Sequence, residues 1–158
     1  RDFGSIQSPQ NAFYLNLGLE SLHVRVPQHC KNARAVAEFL STSDKVASVR
    51  YPDLPGDPYH KLAEKYLPNG SCGVVSFEVA GGREAAERFM AGLRVFAIET
   101  HVADARSCCL HPASSTHRQM TNDELVAAGI SPAMVRMSCG IEGTDDLVAD
   151  VEQALARV

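Results

Sequence analysis

At 158 residues, with 45% apolar and 22% charged side chains, the chain has the size and composition of one ordinary globular domain, large enough to bury a core without disulfide or metal staples. Its formal charge of −4, with Lys and Arg scattered rather than clustered, excludes the basic footprint of a nucleic-acid binder or of a protein held on an anionic membrane. No apolar run approaches the roughly 18 residues that a spanning helix needs, and no signal-peptide core opens the sequence, so the reading is a soluble, cytoplasmic protein with neither nucleic acid nor membrane as a partner.

Arg1-Asp2-Phe3-Gly4 starts in mid-pattern, as though the chain continued upstream. Ser8-Pro9 then predicts a helix start, the serine capping free amides and the proline suiting the first helical position. Pro27 cannot donate to the carbonyl four residues back, so a break or kink is expected near it. Ala33, Val36, Ala37 and Leu40 repeat at helical spacing beyond that point, and two helical pieces are expected over residues 9 to 41. Val46 to Tyr51 reads as a short strand, Pro52 to Pro58 as a proline-rich loop, and His60 to Leu67 as a short helix that Pro68-Asn69-Gly70 stops. Val75, Phe77 and Val79 alternate as a half-buried strand should. Gly81-Gly82 turns into a helix whose buried stripe is Ala86, Phe89, Met90 and Leu93.

Strands are expected at 95–99 and 106–111, separated by the irregular stretch Thr100-His101-Val102-Ala103-Asp104. Thr121 and Glu124 form a capping box for a short helix that Gly129 closes. Val135, Met137 and Cys139 mark the apolar face of a last strand, and Asp145 and Asp146 complement the dipole of a terminal helix. The whole reads as one domain over residues 1–158, an α/β or α+β sandwich with a mixed or antiparallel sheet covered by helices.

Five cysteines, Cys30, Cys72, Cys108, Cys109 and Cys139, with no C-x-x-C pair, suit reduced thiols acting as small core hydrophobes. Cys108 and Cys109 are vicinal in a strand, so they point to opposite faces and cannot join on one metal. Arg136 lies between Val135 and Met137, which sends its guanidinium to the face away from the apolar side. A planar five-donor fork there suits a carboxylate, although spacing alone favours a solvated strand arginine. Leu110 to His117 holds two histidines among hydroxyl residues. It reads as a tight turn in which side chains satisfy local backbone, with a metal pair at His111 and His117 as the minor alternative.

Several segments taken together resemble the Cys/Met-metabolism family of PLP-dependent enzymes, in particular its O-acetylhomoserine sulfhydrylase branch. They are Ser8-Pro9-Gln10-Asn11-Ala12-Phe13, Gly18 to Leu22, Arg25 with His29-Cys30-Lys31-Asn32-Ala33, Val49-Arg50-Tyr51-Pro52 and Tyr66-Leu67-Pro68. The most specific are His111-Pro112-Ala113-Ser114-Ser115-Thr116-His117 and Arg136-Met137-Ser138-Cys139-Gly140-Ile141-Glu142. This resemblance implies the C-terminal small domain of a fold type I transferase, packed beside a large pyridoxal-phosphate-binding domain and closing the substrate cleft.

It also implies a γ-replacement on an O-acylhomoserine such as O-acetylhomoserine, with sulfide or a thiol incoming, in homocysteine and methionine biosynthesis by a homo-oligomer. The family's carboxylate-binding arginine falls on Arg136. Its cleft loop falls on His101 and Val102 and runs on to Ser107, with Thr116 as a further substrate-binding position. His101 stands where that branch usually has asparagine, Ala103 where it has glycine, and Cys139 where it has valine. None of Lys31, Lys45, Lys61 or Lys65 sits in a Ser-x-Thr-Lys setting, so no catalytic residue is expected within these residues. Pyridoxal phosphate would be held by the large domain, whose absence is expected to leave an apolar face bare. Two other readings stay open at this point: a γ-lyase or γ-synthase of the same family, and a non-catalytic binding or dimerisation module. A zinc hydrolase using His111 and His117 is a third.

Overall fold

The computed structural model describes Gly4 and residues 6–158; the opening Arg1-Asp2-Phe3 therefore lies outside the described residues. Helix α1 (Pro9–Glu20) starts as its cap requires, the Ser8 hydroxyl accepting the Asn11 amide at 3.2 Å. Helix α2 (Leu22–Thr42) follows after a single residue, Ser21. The chain thus breaks at Ser21 and not at Pro27, which lies inside α2. Two bonds from Arg25 fix the corner, one to the Ser21 hydroxyl at 3.0 Å and one to the Gly18 carbonyl at 2.6 Å. Pro27 removes one helical bond, to the carbonyl of His23, and because His23 is exposed, water can satisfy that oxygen.

Strand β1 (Val46–Arg50), helix α3 (His60–Tyr66), strand β2 (Val74–Val79) and helix α4 (Gly82–Gly92) come next. They are followed by short strands β3 (Ala97–Ile98) and β4 (Cys108–Leu110), helix α5 (Asn122–Ala127), strand β5 (Met134–Ser138) and helix α6 (Thr144–Leu155). The five strands form one sheet in the order β1-β2-β5-β4-β3. All neighbours are antiparallel except β3 and β4.

Helices α2, α4 and α6 cover one face of that sheet. The α2 stripe of Ala33, Val36, Ala37 and Leu40 packs with Phe89 and Met90 of α4 and Leu147, Val151 and Ala154 of α6. These meet the inward side chains Val75, Phe77 and Val79 of β2 and Val135 and Met137 of β5. Phe77 and Phe89 touch edge to face with centroids 5.4 Å apart, a geometry that adds to the burial of both rings. The mixed sheet with its helical cover is the expected α/β sandwich. Leu93, expected in the stripe of α4, is instead the residue that caps it and is only partly buried against the core.

Both short strands are briefer than their apolar runs suggest, because side chains capture the flanking backbone. The Asp150 carboxylate, buried on α6, accepts the amides of Arg94, Val95 and Phe96 at 2.8, 2.9 and 3.1 Å. The capping box on α5 forms as read, Thr121 and Glu124 bonding each other's backbone. In contrast with the covered sheet, α1 buries none of its residues, and Phe13, Leu15, Leu17 and Leu19 are all more than half exposed.

Replacing Asp150 with Ala strands three amides near the core, each costing about 1–3 kcal/mol. Urea denaturation of the chain is expected to show a loss of at least about 3 kcal/mol. A loss below about 1 kcal/mol would mean that water substitutes for the carboxylate.

Candidate functional site

The face of the sheet opposite the helices mixes Ser76, Glu78, Arg136 and Ser138 with Val74, Met134, Cys108 and Leu110, and β5 lies at the centre of the sheet. With Val135 and Met137 fully buried on the helix side, the pleat sends Arg136 and Ser138 to the open face. Arg136 pairs across the sheet with Ser76 of β2 and Leu110 of β4, and Ser138 with Cys108. The guanidinium is half-buried and makes one bond among the described residues, from Nη2 to the carbonyl of Thr100 at 3.1 Å. The other four of its five N–H donors make no bond among the described residues.

Thr100 begins the irregular loop between β3 and β4, and β5 side chains shape that loop. The Ala103 amide donates to the Ser138 hydroxyl at 3.1 Å. Ala103 stands at φ +60, in the left-handed region where a Cβ is disfavoured and glycine is favoured. Its neighbour His101 is exposed, with Nδ1 3.2 Å from a Glu99 carboxylate oxygen, while its carbonyl accepts the Cys108 thiol at 2.9 Å. Val102 is exposed at the crest. Asp104 takes the Arg106 amide at 2.9 Å, and that bond holds its carboxyl below the ordinary value of 3.8.

Arg136, His101 and Val102 are therefore brought to one end of the open face. Ser107 is not available there: it is fully buried, its amide and hydroxyl both donate to Glu142, and its carbonyl accepts the Ala97 amide. Thr116 stands at the other end of β4, exposed, with its hydroxyl 2.9 Å from Nδ1 of His117. The turn that carries Thr116 is organised by His111, which is buried. Nε2 of His111 lies 2.9 Å from the Pro132 carbonyl and donates to it, and Nδ1 lies 2.8 Å from the Ser114 hydroxyl. Both ring nitrogens are committed, which removes the metal pair with His117.

Two residues of this site escaped the reading of individual positions. Ser138 shares Arg136's face two residues on, and strand alternation alone could have flagged it. Thr100 contributes through its carbonyl, for which a sequence has no signal.

The cysteines behave as core side chains. Cys30, Cys108, Cys109 and Cys139 are buried and all five thiols are free. Burial pushes the thiols of Cys109 and Cys139 well above their ordinary value, which keeps them protonated and unreactive.

The family model for Cys/Met metabolism PLP-dependent enzymes matches residues 1–156. The chain belongs to that family. It is 42% identical to an O-acetyl-L-homoserine sulfhydrylase of Leptospira meyeri over 159 residues, covering all of this chain and 36% of the relative. An L-methionine gamma-lyase of Pseudomonas putida is 41% identical over 152 residues, or 96% of this chain and 38% of the relative. Among solved structures, a Campylobacter jejuni protein assigned as an O-acetylhomoserine (thiol)-lyase, bearing a pyridoxyl-lysine phosphate, superposes with a TM-score of 0.88 at 41% identity. That match covers 99% of this chain and 37% of the other. The chain thus spans little more than a third of the length of the relatives it matches.

The family depends on pyridoxal phosphate, but the lysines here do not fit that cofactor. Lys31, Lys61 and Lys65 are exposed on helices, and Lys45 donates to the carbonyls of Leu155 and Val158 at 3.0 and 3.1 Å, closing the end of α6.

Two substitutions test the loop. Ala103→Val places a β-branched side chain at positive φ and is expected to cost about 1–2 kcal/mol in thermal or urea unfolding. Ala103→Gly removes the strain but adds freedom to the unfolded chain, and is expected to stay within about 1 kcal/mol of the parent. Because the folded Asp104 carboxyl is depressed, its bond to Arg106 is present above pH 3.8 and is lost as pH falls through the lower folded value. The Arg106 amide resonance is expected to titrate with a midpoint below 3.8; a midpoint at or above that value would rule the bond out in solution.

Proposed function

We propose that this chain is the substrate-recognition domain of a PLP-dependent enzyme that carries out γ-replacement on an O-acylhomoserine, with sulfide or a thiol as the incoming group. One observation carries the reading: Arg136 spends a single donor on the Thr100 carbonyl and has its other donors unbonded among the described residues, beside the exposed loop of His101 and Val102. That is the arrangement which grips a carboxylate in two parallel bonds and orients the amino acid that bears it. Arg136 would hold the substrate α-carboxylate throughout, with the His101–Val102 backbone closing over it and Thr116 at the cleft's other end. The 42% identity to a sulfhydrylase of Leptospira meyeri supports acyl-homoserine as the substrate class.

When bound, the cofactor would supply the electron sink for loss of the α and β protons and of the γ-acyloxy group as a carboxylate. Its lysine belongs to the part of the whole protein that corresponds to the remaining length of the relatives. Helix α1, which leaves Phe13, Leu15, Leu17 and Leu19 exposed and buries none of its residues, suits contact with that part, since apolar side chains in such number are ordinarily enclosed. Assembly into a homo-oligomer would complete the site.

A γ-lyase is the second reading, favoured by the 41% identity to the Pseudomonas putida methionine gamma-lyase. The whole PLP-loaded protein separates them: homocysteine from O-acetylhomoserine and sulfide supports the transferase, and 2-oxobutanoate from methionine alone supports the lyase. In either case Arg136→Ala is expected to raise the amino-acid KM by about 100-fold or more, from loss of a charge-assisted bidentate contact. An unchanged KM would refute the role of Arg136.

A further inference from the structure

The loop from Thr100 to Ser107 is tied to the end of β5 at three levels. Two ties lie at the site itself, from Arg136 to the Thr100 carbonyl and from Ala103 to the Ser138 hydroxyl. The third is set back in the turn that follows β5. There the Glu142 carboxylate accepts the Ser107 amide on one oxygen at 2.6 Å and the Ser107 hydroxyl on the other at 2.8 Å. The Ser107 oxygen in turn accepts the Gly140 amide at 2.7 Å, and Ile141 donates to the Ala105 carbonyl at 2.9 Å.

The turn that carries Glu142 is itself immobilised. Asn32, fully buried on α2, donates to the carbonyls of Gly140 and Glu142, each at 2.9 Å, and accepts the Thr144 hydroxyl at 2.7 Å. Gly140 has no room for a side chain, because a Cβ would run into the Ala105 carbonyl and the backbone of Arg106. The base of the loop and the end of β5 are therefore pressed together through polar groups, with Glu142 as the charged member.

We infer that Glu142 is a positioning residue for substrate binding: by gripping both donors of Ser107 it fixes where the 100–107 loop stands against Arg136. The inference rests on the reading of Arg136 as the carboxylate anchor. Its physical basis is the strain in the loop. Ala103 at φ +60 relaxes towards negative φ if the base of the loop is released. That relaxation draws its amide from Ser138 and shifts the Thr100 carbonyl that orients the guanidinium. Glu142 acts through Ser107, so its loss falls on the binding of the amino acid more than on later steps.

Four variants of the whole PLP-loaded protein test this: Glu142→Gln, Ser107→Ala, Arg136→Lys and the Glu142→Gln/Arg136→Lys double. Gln keeps the size of Glu142 but removes its charge and one of its two carboxylate acceptors, so the amide and hydroxyl of Ser107 can no longer both donate to a charged group. It is expected to raise the amino-acid KM about tenfold while kcat changes by less than about threefold, the magnitude of one lost bond to a charged group. On the Arg136→Lys background the same change is expected to add less than about twofold, because the two residues act on one contact. Ser107→Ala, which removes only the hydroxyl, is expected to raise KM in the same direction by a smaller factor and carries the test if the Gln variant does not fold. A Gln variant with KM unchanged, a loss confined to kcat, or effects that multiply in the double variant would overturn the inference. An unaltered KM in Arg136→Lys would instead overturn the reading of Arg136, whatever Glu142 does.

Discussion

Everything at the candidate site depends on the register of one strand. β5 lies in the middle of the sheet, bonded on both sides, and its alternation is set by Val135 and Met137, both fully buried under the helices. A slip of one residue would carry those two side chains into water and drive a guanidinium into the apolar layer. Burying an unpaired charge costs far more than any local gain, so the core itself dictates which way Arg136 points. The helix layer and the open face are in this sense one constraint: the packing of α2, α4 and α6 on β2 and β5 is what presents Arg136.

The open face shows how a short loop is shaped by polar contacts that the core does not need. Its ties come from alternate residues of β5 and from the turn beyond, and they hold an alanine where glycine is favoured. Cys139, at a position where valine is usual in the family branch it resembles, is fully buried with its thiol kept protonated, so it does the packing work of a small apolar side chain. His111 spends one ring nitrogen on Ser114 in its own turn and the other on the Pro132 carbonyl ahead of β5, which ties the histidine-rich segment after β4 to the start of β5.

Much of this was legible in the sequence, for reasons that vary by element. The strand alternation of β2 and β5, the stripe of α2, the Ser8 cap and the Thr121–Glu124 box are local patterns whose period or spacing carries the physics, and they appear where expected. The break between α1 and α2 was misplaced because proline is a strong local signal, whereas Ser21 gains its role from an arginine that reaches back to Gly18. The short β3 and β4 depend on Asp150 and Glu142, each far away in sequence, so an apolar run could not show where pairing stops. Ser107 was legible as part of the cleft loop but not as buried, since only the fold brings Glu142 to it. Arg136 was legible as lying on the face opposite Val135 and Met137, and it was the family resemblance that raised the carboxylate role proposed for it above that of a solvated strand arginine.

The central claim is that Arg136 anchors the carboxylate of an amino-acid substrate. A crystal structure of the whole PLP-loaded protein with O-acetylhomoserine or a non-reactive analogue bound tests it most directly. The account predicts two carboxylate oxygens at about 3 Å from the Arg136 guanidinium, with Nη2 still on Thr100. A carboxylate held by other residues, with Arg136 turned to solvent, would contradict it.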